Sequence, residues 1–317
     1  MQVLITGGAG YIGNELVLRL LKMPHVSEIV VYDNLSRKNY NLFLDKRFDL
    51  KEIRFLNGEL LDTKTLHEEV KKADVIYHLA GIDNLLYAGD NPYPFDQVNN
   101  WGTAELVYAV EASYIKKFFY LSTTDVYGTQ SRQPDLKDQP FPETFYAKSK
   151  LNGENHVKKL FSQCKSYIFR VSDVYGYSPS AKFDSSINKL LFDVNFMGRI
   201  HIHGTGKQIR DYIHVSKVVE VLTGILEAQN APESGIYNLT DKNIGIEEIA
   251  QTFKEIYPGM GEVYLHQHEE SFSRSIEKDP ILETFKSQKS LSFKEEIEDF
   301  KNNFSFSRRA ELAIPGV

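Results

Sequence analysis

The chain has 317 residues, 42% of them hydrophobic and 25% charged, and its net charge of −6 gives no electrostatic basis for binding nucleic acid or an anionic membrane. Its sole cysteine, Cys164, excludes an internal disulfide and a cysteine-based zinc cluster. Because no apolar run approaches the roughly 20 residues that span a bilayer, and the N-terminus lacks the pattern of a signal peptide, we expect a soluble cytoplasmic protein.

Short apolar runs alternate with helical stretches through the first half of the chain. Strands are predicted at residues 3–5, 28–32, 53–57, 74–79, 118–122 and 167–171. Helices are predicted at residues 15–22, 65–72 and 95–113, and again after residue 145. This alternation is typical of an α/β fold, in which helices cover both faces of a parallel sheet. Ligands of such sheets bind at the carboxyl ends of the strands.

The pattern loosens after residue 171. Helices are predicted at residues 185–197, 215–229 and 246–256, residues 267–290 are charged and irregular, and residues 293–304 are amphipathic. We therefore predict a Rossmann-type, doubly wound parallel sheet in residues 1–171. Residues 172–317 are expected to form mainly a smaller C-terminal, substrate-binding lobe, with some segments returning to the Rossmann domain.

A glycine-rich turn, TGGAGYIG, lies directly between the first predicted strand and the first helix. In a dinucleotide-binding turn the first glycine, here Gly7, allows a tight bend, and Gly10 lets the backbone approach a pyrophosphate. Gly13 permits close packing of the helix, whose N-terminus offers free N–H groups to the anion. A glycine turn without a ligand is the alternative, and the strand-turn-helix setting argues against it.

Asp33 ends the second predicted strand, about 20 residues after the last glycine, which is the position of a ribose-binding acid. Its carboxylate can accept hydrogen bonds from both ribose hydroxyls and would repel a 2′-phosphate. Arg37 is the one nearby cation that weakens this argument. A turn or helix-capping role is common for a lone aspartate, but together with the glycines Asp33 favours NAD over NADP.

Tyr146 and Lys150 are four residues apart, on one face of a predicted helix. A phenol with a pKa of about 10 is a poor base at neutral pH, but a neighbouring ammonium and an oxidised nicotinamide both favour the phenolate. Tyr146 could then remove a proton from a substrate hydroxyl while hydride leaves the same carbon, and Lys150 could hold the nicotinamide ribose. On its own such a pair is usually surface chemistry, as the neighbouring Lys148 illustrates.

Several short segments occur in a specific order that resembles the order of motifs in one protein family. The resemblance covers nearly the whole chain. The segments are TGGAGYIG from Thr6, DNLS from Asp33, HLAG from His78, NNWGT from Asn99, STTDVYG from Ser122, YAKSK from Tyr146, RVSDVYG from Arg170 and RDYIHV from Arg210. Together they resemble the extended short-chain dehydrogenase/reductase family, the NAD-dependent sugar-nucleotide epimerases and dehydratases. The resemblance implies NAD as cofactor, a nucleotide sugar as substrate, and a homodimer formed through the helices at residues 95–113 and 146–160.

The resemblance also implies roles for individual residues. Thr123 would orient the reacting hydroxyl, Tyr146 would be the base and Lys150 its partner. Substrate contacts would involve Thr123, Asp125, Asp173 and Arg210. The implied cofactor-binding residues are Gly7, Gly10, Tyr11, Ile12, Gly13, Asp33, Asn34, Ser36, Glu59, Leu60, Leu79, Ala80, Gly81, Asn99, Tyr146 and Lys150.

Two positions leave alternatives open. Asp173 stands where many relatives have Asn, and a carboxylate near a pyrophosphate would be repelled. Either the substrate sits differently, or Asp173 is turned away into hydrogen bonds of its own. Arg210 matches an arginine that contacts the pyrophosphate of the nucleotide sugar, and a structural salt bridge with Asp211 is an equally good interpretation.

The residues after Thr123 bear on the type of reaction. The 4,6-dehydratases of the family often have Asp-Glu there, and some dehydratases and decarboxylases have Ser-Glu, which Thr124-Asp125 resembles more closely. We favour an epimerase that acts through a transient keto sugar, in the manner of a UDP-glucose 4-epimerase, over a 4,6-dehydratase or decarboxylase. A non-catalytic NAD-binding redox sensor and a simple reductase are further alternatives.

His201 and His203 alternate on a predicted strand, and a polar strand face explains them better than a metal site.

Overall fold

A computed structural model describes residues 1–45, 47, 53–83, 91–129, 133–266, 272–285 and 291–306. Strands are numbered β1–β12 and helices α1–α11 along the chain. Seven parallel strands form the main sheet in the order β3-β2-β1-β4-β5-β6-β10. They are β1 (Gln2–Thr6), β2 (Glu28–Asp33), β3 (Ile53–Asn57), β4 (Val75–His78), β5 (Lys117–Thr123), β6 (Lys165–Val171) and β10 (Gly235–Leu239). The order reverses between β1 and β4, which confirms the predicted Rossmann-type, doubly wound sheet.

Helices cover both faces of this sheet, because alternate residues of each central strand point to opposite sides. Val3 and Ile5 of β1 pack in one buried cluster, whereas Leu4 packs in the other. The first face carries α1 (Tyr11–Leu20), α8 (Val215–Glu227) and α10 (Pro280–Phe285). The second carries α3 (Thr63–Val70), α5 (Thr103–Glu111) and α6 (Phe145–Val157). The continuous apolar runs seen in the sequence are therefore strands buried on both faces.

Short helical segments complete this domain. They are α2 (Asn41–Leu44), α4 (Tyr93–Phe95), a π-helical segment (Asp96–Gly102) that joins α4 to α5, and two 3₁₀ turns (Thr124–Tyr127 and Lys158–Ser162). The helix predicted at residues 95–113 is thus a run of α4, π-helix and α5. None of the described helices is long and apolar enough to cross a membrane.

The second lobe has a separate core under two small sheets. Strands β7 (Asp173–Tyr175), β9 (Ile209–His214) and β11 (Lys242–Gly245) form one sheet, and β8 (Arg199–His203) pairs with β12 (Gly261–Leu265). The helices are α7 (Ser186–Met197), α9 (Ile246–Ile256) and α11 (Phe293–Asn302). Ile187, Ile249, Phe253 and Ile297 are among the fully buried residues of this core.

Two segments of the C-terminal half belong to the Rossmann domain. Strand β10 pairs with β6, and α8 packs on α1 in the same buried cluster. The prediction that residues 267–290 are irregular is wrong for residues 280–285, which form α10 and bury Ile281 and Leu282 against α8. Residues 267–271 and 286–290 of that stretch lie outside the described residues.

Candidate active site

The glycine-rich turn has a geometry that side chains would disrupt. Gly7 has a φ of +73°, and a Cβ at Gly7 would lie 2.5 Å from the backbone nitrogen of Ala80. A Cβ at Gly13 would lie 2.5 Å from the carbonyl oxygen of Gly8. Gly10 is the N-cap residue of α1, and no side chain caps the helix. The amide groups at this helix N-terminus are thus left to an external acceptor, which suits the pyrophosphate of a dinucleotide.

Asp33 lies at the carboxyl end of β2, beside the turn. Its carboxylate accepts hydrogen bonds from the backbone of Ala9 at 3.0 Å and of Leu35 at 2.8 Å. Burial raises the pKa of Asp33, and these two backbone donors oppose that rise. Since each carboxylate oxygen has a second lone pair, Asp33 can still accept from ribose hydroxyls.

Asn34 organises the region next to Asp33. Its amide donates to both carboxylate oxygens of Glu59, at 3.1 and 3.0 Å, and its carbonyl oxygen accepts from the backbone of Ser36 at 3.0 Å. The Glu59 side chain, for which the resemblance implies a cofactor contact, is therefore tied to Asn34. Leu60 is buried and packs beside Gly102 of the π-helical segment.

Asn99 supports the loop that follows β4. It is fully buried, and its side-chain amide bonds both the backbone nitrogen and the carbonyl oxygen of Ile82, each at 2.8 Å. It also donates to Ser149 on α6 at 2.9 Å. The hydroxyls of Thr6 and Thr103 bond the two ring nitrogens of His78, at 2.7 and 2.9 Å. His78 is therefore held in place at the end of β4 by hydrogen bonds from both sides. It is buried, and burial is the main cause that lowers its pKa.

One cavity of about 1330 Å³ runs from the glycine turn into the second lobe. A volume above the usual ~300–1,000 Å³ of a small-molecule pocket suits a dinucleotide and a second ligand together. Of the sequence-predicted site residues, Asn99 alone lies behind the cavity wall. The others line it: Gly7, Gly10, Tyr11, Ile12, Gly13, Asp33, Asn34, Ser36, Glu59, Leu60, Leu79, Ala80, Gly81, Thr123, Asp125, Tyr146, Lys150, Asp173 and Arg210.

Thr123, Tyr146 and Lys150 meet at the carboxyl end of β5. The Thr123 hydroxyl is within hydrogen-bonding reach of the Tyr146 phenol. The ammonium nitrogen of Lys150 lies 4.3 Å from the ring centroid of Tyr120 and close to Gly81. These three side chains therefore share one end of the cavity, next to the loop after β4.

Burial and nearby charges set the ionisation of Tyr146 and Lys150. Burial raises the pKa of the Tyr146 phenol well above its ordinary value, and the carboxylates of Asp125 and Asp83 raise it further. Burial lowers the pKa of Lys150 to about 7, and Glu154 opposes this shift. The protein's side chains by themselves therefore favour the neutral phenol, and the expected phenolate requires the oxidised nicotinamide as well as the lysine.

Arg274 is a site residue that the sequence analysis missed. Its guanidinium donates to Asp211 at 3.0 Å, to the carbonyl and hydroxyl oxygens of Thr124 at 3.1 and 3.2 Å, and to Asp125 at 3.0 Å. Thr124 in turn donates to Asp211 at 2.5 Å. Arg274 lies in a stretch with no motif and no periodicity, so nothing in the sequence connects it with residues about 150 positions earlier.

Asp173 and Arg210 lie on neighbouring strands of the second lobe. Asp173 accepts from the Ser186 hydroxyl at 2.6 Å at the start of α7, which matches the alternative in which it is turned into its own hydrogen bonds. Asp211 is bound to Arg274, so it is not the partner of Arg210, and Arg210 forms no ion pair within the described part of the chain.

The fold and the site together define a class of protein. A Rossmann sheet with a glycine turn and a terminal acid on β2 is the arrangement that binds dinucleotides, and a Thr-Tyr-Lys group beside that groove has the chemistry to exchange a proton with a hydroxyl. The sequence profile of the NAD dependent epimerase/dehydratase family matches residues 3–240. The chain belongs to this family, whose cofactor is NAD, and the residues of the groove fit that cofactor.

Individual relatives carry both activities that the family name contains. The chain is 30% identical over 260 residues to a dTDP-D-glucose 4,6-dehydratase of Bos taurus, which covers 79% of this chain and 71% of the relative. It is 27% identical over 280 residues to the UDP-glucose 4-epimerase of Bacillus subtilis (strain 168), covering 81% and 82%. A crystal structure of UDP-glucuronic acid 4-epimerase from Bacillus cereus in complex with NAD has the same fold, with a TM-score of 0.80 at 23% identity, covering 95% and 98%.

Proposed function

We propose that this chain is a nucleotide-sugar epimerase that acts through a transient keto sugar, in the manner of a UDP-glucose 4-epimerase. The observation that carries the proposal is the grouping of Thr123, Tyr146 and Lys150 at one end of a cavity large enough for a dinucleotide and a nucleotide sugar. The epimerases among the relatives support it.

The dinucleotide would be held by the glycine turn, Asp33 and the loop after β4. Amide groups at the start of α1 would face the pyrophosphate, and Asp33 would accept from the adenosine ribose. Lys150, close to Gly81, would donate to the second ribose. When bound, NAD supplies the oxidising power that converts one hydroxyl group of the sugar to a ketone, and its reduced form supplies the reducing power for the reverse change.

Tyr146 would take the proton of the sugar hydroxyl, and Thr123 would donate to the same oxygen. Because burial and Asp125 favour the neutral phenol, the proton transfer depends on positive charge brought to the site by Lys150 and the oxidised cofactor. For inversion, the keto sugar would turn so that its carbonyl carbon takes hydride back from the cofactor on its other face, while Tyr146 returns the proton to the oxygen. The net change would be inversion at that carbon, with no net oxidation.

Arg210 is proposed to bind the diphosphate of the nucleotide sugar. It lines the cavity and its neighbour Asp211 is already neutralised by Arg274. The Asp173 carboxylate accepts a hydrogen bond from Ser186 at the start of α7. It is therefore turned away from a phosphate that would lie near Arg210. An ordinary UDP- or dTDP-sugar is therefore compatible with the departure from the family's Asn at that position.

A 4,6-dehydratase or decarboxylase is the second candidate, and Asp125 is the observation that favours it. This carboxylate is close enough to Tyr146 to raise the pKa of the phenol, and Arg274 holds it in place. An acid at that point could move the protons that accompany loss of water. The 4,6-dehydratase relatives at 30% identity carry that activity.

Product analysis by NMR distinguishes these activities. Purified protein is incubated with a panel of UDP- and dTDP-hexoses, and inversion at one carbon is expected. Loss of water or CO₂ would assign the chain to the second candidate.

Tyr146→Phe should lower kcat by about 10²–10⁴-fold, whereas the control Tyr93→Phe, at a tyrosine that is 73% exposed and outside the cavity, should not. Full activity of Tyr146→Phe would overturn the proposed chemistry, and an unchanged cellular role with no turnover would favour the redox sensor.

A further inference from the structure

Three charged side chains from separate segments meet in the cavity, beside the loop after β4. Asp83 lies in the loop after β4, Arg37 in the loop after β2, and Lys182 in the second lobe. One carboxylate oxygen of Asp83 lies 2.5 Å from Arg37 and 2.6 Å from Lys182. All three side chains line the cavity and are largely buried, with exposures of 20–26%. We call this group the Arg37–Asp83–Lys182 latch.

The first ion pair joins two loops that flank the glycine turn. Strand β1 lies between β2 and β4, to both of which it is paired. Its carboxyl end continues directly into the turn at Gly7, so the loops after β2 and β4 leave the sheet on either side of that turn. The Arg37–Asp83 pair ties these two loops together at the edge of the sheet where a dinucleotide binds.

The second ion pair brings the other lobe to the same place. Ser178 donates to the carbonyl oxygen of Tyr11 at 2.9 Å, and Ser180 to that of Ala9 at 3.3 Å. The Tyr11 hydroxyl donates in return to Gly176 at 2.5 Å. Residues 176–180 thus contact the glycine turn. Two residues further along, the Lys182 ammonium donates a hydrogen bond to Asp83.

The two cations stabilise the charged form of Asp83. Burial alone would raise its pKa, but Lys182 and Arg37 together keep the pKa below its ordinary value. A carboxylate in this part of the groove would repel a pyrophosphate if it stood alone. With two cations around it, Asp83 is no longer an isolated negative charge. Lys182 also lies 3.6 Å from Asp184, so these four side chains together are neutral and do not repel that anion.

We propose that the Arg37–Asp83–Lys182 latch has to open before a dinucleotide enters or leaves, and that Asp83 is a positioning residue which retains NAD through each catalytic cycle. This inference rests on the proposed function, because a reaction without net oxidation fails if the reduced cofactor leaves before the keto sugar is reduced again. The second lobe thereby controls cofactor exchange as well as substrate binding.

The test measures association and dissociation of NADH by stopped-flow fluorescence, with no nucleotide sugar present. If a closed latch limits access, opening it increases the open fraction and accelerates both steps. Asp83→Asn and Lys182→Met should each raise the dissociation rate at least about fivefold and also raise the association rate. Lys182→Met is the decisive variant, because removing a cation that merely contacts phosphate would slow association.

The matched control is Lys165→Met, which breaks the exposed Lys165–Glu233 pair outside the cavity. Both rates should stay within twofold of the wild type in this variant. Unchanged rates in both latch variants, or faster dissociation with slower association in Lys182→Met, would overturn the proposal. Should Asp83→Asn fail to fold, Lys182→Met leaves the Arg37–Asp83 pair in place and carries the test.

The outcome separates the latch from the proposed function. Rapid NADH exchange in the variants together with no sugar turnover in the wild type would support the latch and contradict the epimerase. Normal epimerisation together with wild-type exchange rates in the variants would contradict the latch alone.

Discussion

The ionisation of Lys150 depends strongly on the fold. It is 5% exposed, and burial lowers its pKa to about 7. Glu154, one helical turn further along, opposes that shift, but its carboxylate is shared with Arg170 through bonds of 3.0 and 2.8 Å. Near neutral pH the lysine is therefore divided between its two charge states, which an exposed lysine would not be.

This shift predicts a pH dependence of stability. Folding lowers the pKa of Lys150 from 10.5 to about 7, so between these values the unfolded chain binds more protons than the folded one. The free energy of unfolding of the wild type relative to Lys150→Met should therefore rise with pH in that window, by at most about 1.4 kcal/mol per unit. Below about pH 6, where both states are protonated, the difference should level off.

Urea denaturation of nucleotide-free protein between pH 6 and 10 measures this difference. The matched control is Lys148→Met, at an exposed lysine on the same helix, for which the difference from the wild type should not depend on pH over most of that range. A flat difference for Lys150→Met as well would show that its pKa is not lowered on folding.

At the scale of elements, Arg274 connects three parts of the fold. It lies before α10, and its partners are Asp211 on β9 and Thr124 and Asp125 after β5. Asp211 is almost completely buried, with a side-chain exposure of 1%. The guanidinium therefore compensates a buried charge while it connects the Rossmann sheet and the second lobe beside the proposed catalytic residues.

Removing Arg274 should be costly for that reason. Arg274→Met keeps the aliphatic stem but leaves the Asp211 carboxylate buried without its cation, and we expect a loss of about 3–5 kcal/mol in the free energy of unfolding. Arg199→Met, at an exposed arginine on β8, should change it by less than about 0.5 kcal/mol. Equal midpoints of urea denaturation for the two variants would show that the Arg274 pairs contribute little.

At the scale of the whole molecule, aromatic side chains are exposed on helical segments that cover one face of the main sheet. Trp101 in the π-helical segment and Tyr108 on α5 are 53% and 63% exposed, and they are seven residues apart on one helical face. Phe145, at the start of α6, is 40% exposed. Such residues are enriched at protein interfaces, which supports the proposed homodimer through these helices.

The homodimer predicts a concentration-dependent mass in sedimentation equilibrium. The wild type should approach twice the chain mass of 36.4 kDa. Tyr108→Arg would place a charge in the interface and should shift the protein to the monomer. Leu44→Arg, at a leucine that is 74% exposed on α2, should leave the dimer intact. A monomeric wild type at high protein concentration would contradict the proposal.

Local signals were sufficient to predict the Rossmann sheet and the cofactor groove. A parallel strand buried on both faces produces a continuous apolar run, and a turn such as Gly7–Gly13 has steric requirements that act within a few residues. The helix at Ile246–Ile256 was predicted with its observed ends because its apolar positions repeat with the helical period. Thr123 and Tyr146 were recognisable because each lies in a short, ordered motif.

The tertiary structure alone decided which distant residues complete the site. The short strands of the second lobe, the return of β10 to the sheet and the formation of α10 all depend on packing partners far away in the chain. The same holds for Arg274 beside Asp125, and for Lys182 and Arg37 on Asp83. The sequence by itself therefore determined a dinucleotide-binding Rossmann domain with a Thr-Tyr-Lys group, since those patterns are local. The ion pairs across the cavity could not be predicted from the sequence, because their partners are far apart in the chain and come together only in the folded structure.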